Sequence, residues 1–177
     1  MLYNRRKTME KTQAAAFHIP RWEQLPAVDL YMEQVITLIN GSLGGFFGSV
    51  GIAPVTKNMI NNYVKARIVQ APVNKRYPRV SVAMIIVVYI LKSCYETEDV
   101  GKLIRMGLDL EAGRETTYNR FCEAIENAVS AVFSGEVHIK DNHIAGREQK
   151  YLMENFALSF ACKYYVQMNF LKESEEQ

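Results

Sequence analysis

The chain has 177 residues, 49% of them apolar and 23% charged, with a formal net charge of +2. That balance fits one ordinary globular domain, or two small ones, and excludes a disordered or fibrous chain. The most apolar stretch, Val80 to Leu91, is shorter than the ~20 residues a membrane-crossing helix needs, so it reads as a buried helix.

Met1 to Gln13 is polar and basic and lacks the apolar run of a secretory signal. Cys94, Cys122 and Cys162 are far apart, odd in number and form no CxxC pair. The expectation is a cytoplasmic protein with reduced, mostly buried thiols, and neither a disulfide frame nor a zinc site. The small net charge conceals a segregation. Between Glu33 and Glu96 there is no acid, but there are seven bases: Lys57, Lys65, Arg67, Lys75, Arg76, Arg79 and Lys92. From Glu96 onward fifteen acids face nine bases. A basic block beside an acidic one is the footprint of a polyanion-binding module joined to a different unit.

Residues 1–16 read as a flexible tail, followed by an ordered lead-in, Phe17 to Trp22. Asp29 is placed to cap a first helix, in which Leu30, Val35, Ile36, Leu38 and Ile39 repeat at helical spacing. That helix is expected to end near Asn40-Gly41. The glycine-rich segment 41–51, with Phe46 and Phe47, reads as a loop because glycine lowers helix propensity. It is not a phosphate loop, since the GxxxxGK[ST] pattern is missing. Thr56 can cap the next helix, 57–66. Met59, Ile60, Tyr63 and Val64 fall on one side of it, and Lys57, Asn58, Asn61, Asn62 and Lys65 on the other. Lysine neutralises phosphates and asparagine can pair with the N6/N7 edge of adenine. A solvated helix face more often mixes Glu with Lys, so this acid-free face reads as a recognition surface.

Ile68-Val69 and Arg76-Tyr77 are expected to be short strands around a turn. They would form a small wing, over 67–79, that lays Lys75, Arg76 and Arg79 along a phosphate backbone with Tyr77 stacked or hydrogen-bonded to it. Ser81 is placed to cap a helix, apolar all round, from Val82 to about Tyr95. Thr97 opens another, and a further one runs from about Thr116 to Phe133. The last, from about Arg147 to Leu171, carries Phe156, Phe160, Tyr164, Tyr165 and Met168. This is more aromatic surface than one neighbouring helix covers, and it suggests a ligand-binding or dimer surface.

Val55 to Lys65, followed by Pro72 and Lys75-Arg76-Tyr77, resembles an uncharacterised bacterial family, the domain of unknown function 1836. Phe17 to Trp22 and Asp29 to Met32 match that family's opening, and the resemblance extends over about residues 17 to 170. Residues 55–108 are also similar in layout to the MerR-type winged helix-turn-helix. There Tyr63 would be the second of an aromatic pair, Ile68-Val69 the apolar dipeptide that follows, and Pro72 the proline before the wing, with Lys75 and Tyr77 on it. The resemblance implies that these residues hold the DNA backbone. Two positions depart from that pattern: Asn61 stands where arginine is usual, and Arg67 where glycine is usual.

The reading is therefore an all-α protein with a small β wing, in which a winged helix-turn-helix (17–112) precedes a helical dimerisation or effector domain (113–177). Its expected function is non-catalytic transcriptional regulation. Duplex DNA would be bound through Lys57, Asn58, Asn61, Asn62, Lys65, Arg67, Lys75, Arg76, Tyr77 and Arg79, by a homodimer, without cofactor or metal. Alternatives are a protein-interaction adaptor, whose basic face meets an acidic protein, and a small-molecule-binding protein using the aromatic last helix. His138, Asp141 and His143 lie within six residues of one another but lack helical metal-pair spacing, so they read as a polar loop. His18 reads as a hydrogen-bonded structural residue. Glu123 and Glu126 are spaced three apart with nothing to tie them to a metal or a base. No nucleophile elbow, HExxH or paired-carboxylate signature is present.

Overall fold

The computed structural model describes residues 14, 16–107, 112–137 and 148–171. A 3-10 turn, Trp22–Gln24, precedes β1 (Leu30–Tyr31), α1 (Met32–Ser49), α2 (Lys57–Lys65) and β2 (Arg76–Tyr77). Then come α3 (Arg79–Lys92), α4 (Thr97–Gly107), α5 (Gly113–Ser134) and α6 (Glu148–Val166), whose final turn, Gln167–Leu171, widens to π-helical bonding. The chain is mainly helical, with β1 and β2 as a two-stranded sheet. No helix among the described residues is long and apolar enough to cross a membrane.

Helix α3 is the centre. Nine of its fourteen residues are buried, from Ser81 through Leu91, because valine, isoleucine and leucine occur all round it and every face meets another element. Its start differs from the expectation. Pro78 is the N-cap, Ser81 and Val82 donate their amides to the Pro78 carbonyl, and no side chain caps the helix. Proline's fixed φ presets this entry, which leaves Ser81 in the first turn with its hydroxyl buried.

The glycine-rich segment is helix, not loop. α1 runs unbroken to Ser49 and buries Val35, Ile39, Leu43, Phe46 and Phe47. Gly41, Gly44, Gly45 and Gly48 are exposed on the other side. The apolar stripe keeps its helical period through the glycines, and its packing outweighs their low propensity. Phe47 lies 5.1 Å from Tyr89 and 6.0 Å from Phe160, and Phe46 stacks on Phe17 at 4.2 Å. This segment is therefore a core ridge.

The sheet also differs from the expected hairpin. β2 pairs antiparallel with β1, Leu30 opposite Tyr77 and Tyr31 opposite Arg76. Ile68-Val69 forms no strand. Leu30 and Tyr31 are thus strand residues rather than the first turn of α1, and Gln34 accepts a hydrogen bond from the Tyr31 amide in place of the expected Asp29 cap.

The aromatic face of α6 is internal. Phe156, Phe160, Tyr164 and Met168 are buried and Tyr165 is half-buried. One neighbouring helix was expected to cover it, but α5, α1 and the connection after α3 all supply cover. Phe156 stacks on Phe121 of α5 and lies near Tyr95, Phe160 meets Phe47 of α1, Tyr165 meets Phe133, and the Tyr164 hydroxyl donates to the Ser93 carbonyl at 3.0 Å. Of the thiols, Cys122 is buried, Cys94 half-buried and Cys162 exposed. His138, Asp141 and His143 lie outside the described residues.

The lead-in is strapped across α5. Glu126 receives both arms of the Arg21 guanidinium at 2.8 and 2.6 Å, together with the Ile19 amide at 2.6 Å. Asn119 accepts from the Trp22 amide, and the Tyr118 hydroxyl donates to the Pro20 carbonyl. His18 is hydrogen-bonded to Gln24 and lies 3.1 Å from Glu126. Burial pulls the Glu126 carboxyl upward, but Arg21, the Ile19 amide and His18 outweigh it and hold it below its ordinary value.

Two outcomes follow from these contacts. Alanine at Gly41, Gly44, Gly45 or Gly48, where an added Cβ meets nothing, should stabilise the protein by about 0.5–1 kcal/mol per site, read as a shift in denaturant midpoint. A loop with left-handed glycines would lose stability instead. Because the folded-state pKa of Glu126 is depressed, its contribution is complete above the unfolded value of ~4.3 and is lost as pH falls through the folded value. Glu126→Gln should cost about 2–3 kcal/mol at neutral pH and flatten the stability profile in that acid window.

Candidate nucleic-acid interface

Helix α2 is built to hold one face out. Thr56 caps it, its hydroxyl accepting from the Met59 amide at 3.3 Å. Ile60 and Tyr63 are buried, while Lys57, Asn58, Asn61, Asn62 and Lys65 are all exposed. The connection from α1, residues 50–56, is fixed at two points. Asn40 exchanges two hydrogen bonds with the Val55 backbone, at 2.8 and 3.1 Å, and the Tyr89 hydroxyl donates to the Ala53 carbonyl at 2.8 Å. The α1–α2 angle is therefore set by side chains on α1 and α3, across a connection longer than a tight helix-turn-helix turn.

The end of α2 carries an arginine in an unfavourable place. Arg67 has φ +57°. Its amide donates to the Val64 carbonyl and the Ile68 amide to the Tyr63 carbonyl, the paired bonds of a helix stop that normally has glycine at this position. Farther on, Val73 and Arg76 exchange both backbone hydrogen bonds, at 3.0 and 2.9 Å, around Asn74 and Lys75. These two residues have φ +49° and +64°, the two-residue hairpin turn in which glycine is favoured second. Two exposed cations, Arg67 and Lys75, thus occupy left-handed backbone positions where an L side chain costs about 1 kcal/mol.

The ten residues singled out in the sequence separate into two groups. Lys57, Asn58, Asn61, Asn62, Lys65, Arg67, Lys75 and Arg76 are exposed. Lys57 is ion-paired with Glu33 at 2.5 Å, both side chains lying well out in solvent. Arg76 donates to the Tyr31 hydroxyl at 2.8 Å and lies over that ring. Tyr77 and Arg79 are not presented in this way. Tyr77 is 2% exposed and fills the core behind β2, because the strand's alternation that turns Arg76 out turns Tyr77 in. Arg79 donates to the Pro26 carbonyl at 3.3 Å and lies over Trp22, so it ties the lead-in to α3. Tyr63 is buried too, with no partner for its hydroxyl among the described residues and its pKa pushed up to about 12 by burial. The contribution of Tyr31 was missed in the sequence. It depends on the β1–β2 register, and no local pattern signals it.

Residues 20–123, more than half of the chain, match a family model described as a domain of unknown function (DUF1836), and the chain belongs to that family. No match was found among curated proteins or among solved structures.

Arg67→Gly and Lys75→Gly should each raise stability by about 1 kcal/mol. Urea unfolding monitored at Trp22 would measure this, and a loss would mean that the two backbones are not left-handed.

Proposed function

We propose that this chain is a non-catalytic, DNA-binding regulatory protein that places α2 in the major groove and the 73–76 turn against the backbone. The observation that carries the reading is the outer face of α2, where two lysines and three asparagines lie exposed together. Among the described residues only Lys57 of these five is ion-paired, and that pair with Glu33 is solvent-exposed on both sides, so exchanging Glu33 for a phosphate costs little. Asn58, Asn61 and Asn62 have the side-chain chemistry that reads adenine, and Lys65, Arg67, Lys75 and Arg76 the charge that neutralises phosphates.

The left-handed cations support the same reading. Glycine would be the more stable residue at both 67 and 75, and a strained residue is retained most readily where its side chain has work outside the fold. The order β1, α1, α2, a two-residue hairpin turn, α3 also suits a winged helix-turn-helix, with Leu30–Tyr31 as the strand that backs the wing. Because Phe156, Phe160, Tyr164 and Met168 are buried, the aromatic face of α6 lends no support to a dimer, and the proposal counts one major-groove contact per chain.

Fluorescence anisotropy with random duplex DNA at low salt is the direct measurement. Binding should weaken steeply as salt rises, in proportion to the phosphates neutralised. Lys65→Glu should reduce affinity at least tenfold without changing the melting temperature. Asn61→Ala should leave random-sequence binding nearly unchanged and relax the preference in a selected site by about 1–3 kcal/mol. Arg67→Gly and Lys75→Gly should bind more weakly while folding more stably, and their salt slopes should each fall by about 1. Wild-type protein that ignores duplex DNA at low salt but captures an acidic peptide would replace this reading with that of a protein-interaction adaptor.

A further inference from the structure

A cavity of about 380 Å³ lies among α3, α4, α5 and α6, with Trp22 in its lining. Its size is within the range of ligand pockets, roughly 300–1,000 Å³. It is separate from the outer face of α2, though Ile68 and Gln70, just past that helix, contribute to its wall. Val80, Met84, Val87, Leu103, Ile104 and Phe156 make most of the surface apolar. A cleft of this size with apolar walls needs polar groups that give a bound ligand an orientation.

Two polar features meet that need. Ser81 lines the cavity, is only 2% exposed, and its hydroxyl has no hydrogen-bond partner among the described residues. A buried hydroxyl without a partner is costly, and here the Pro78 cap has removed the capping role that would have used it. Arg114, exposed at the start of α5, also lines the cavity and forms no ion pair among the described residues. The described lining contains this cation and no carboxylate. Tyr118 also contributes, but its hydroxyl is already committed to the Pro20 carbonyl.

We propose that this cavity is a binding site for an amphipathic organic anion, an apolar chain or ring system carrying one carboxylate. The apolar body displaces water from the α3–α4–α6 walls, Ser81 donates its hydroxyl to an oxygen of the ligand, and Arg114 neutralises the charge on the solvent side. The site does not depend on α2 meeting DNA and stands or falls on its own test.

That test uses the full chain with decanoate as the probe. Decanol and decyltrimethylammonium serve as uncharged and cationic controls, and binding is read by calorimetry and by displacement of anilinonaphthalene sulfonate. Decanoate should bind saturably, one per chain, and at least tenfold more tightly than either control. Ser81→Ala should raise the melting temperature of the ligand-free protein while weakening decanoate about threefold to tenfold, a combination that a purely structural serine would not give. Arg114→Glu should weaken decanoate at least tenfold and leave decanol unchanged, with no change in melting temperature. Val87→Trp should fill the space and abolish binding of both; should it fail to fold, the Ser81 and Arg114 variants decide. Absence of saturable decanoate binding overturns the proposal. So does decanol binding as tightly as decanoate, or decanoate affinity unmoved by both Ser81→Ala and Arg114→Glu.

Discussion

Burial of α3 on all sides is the constraint that orders this molecule. Isoleucine, valine and leucine on every face oblige the chain to surround the helix, and the cost of exposing any of them is about 1.5–3 kcal/mol per side chain. α1 supplies Phe47 against Tyr89, α2 supplies Ile60 and Tyr63, and α6 brings Phe160 to Phe47. The buried residues form one continuous cluster from Ala14 to Met168. The basic stretch and the acidic helices therefore share a core even though their surfaces differ in charge.

Upon this apolar frame a few polar contacts fix angles that apolar packing alone leaves loose. Asn40 and Tyr89 hold the α1–α2 connection, and Arg21 with Glu126 binds the lead-in to α5. These are directional bonds between residues far apart in the chain; Asn40, Tyr89 and Glu126 thereby satisfy backbone groups of Val55, Ala53 and Ile19 that would otherwise be left unpaired. Burial of Ile60 and Tyr63 then turns the lysines and asparagines of α2 outward.

The proposed functional features lie where local stability is not maximal. Arg67 and Lys75 hold left-handed backbone that suits glycine, and Ser81 leaves a hydroxyl without a partner beside a cavity. All are small departures from the most stable choice, and all are adjacent to charge or open space. A domain stable by only a modest margin can carry a few such departures when the rest of the core is well packed.

What the sequence determined by itself was the helical class, the burial of the Val80–Leu91 stretch, the Thr56 cap and the two-faced pattern of α2. Each of these is a matter of period and propensity within about a dozen residues. The same local logic failed at Gly41–Gly51, where low propensity was weighed above an apolar stripe that continued to Phe47. It failed at Tyr77, because the direction of a strand residue depends on its register with Leu30. It failed again on α6, where local reading counted one covering helix and the fold provided several neighbours. The strap from Arg21 to Glu126, the β1–β2 register and the cavity beside Ser81 exist only after distant segments meet. They were decided by tertiary packing because burial and hydrogen-bond partnership are properties of pairs of segments and are not encoded at any single position.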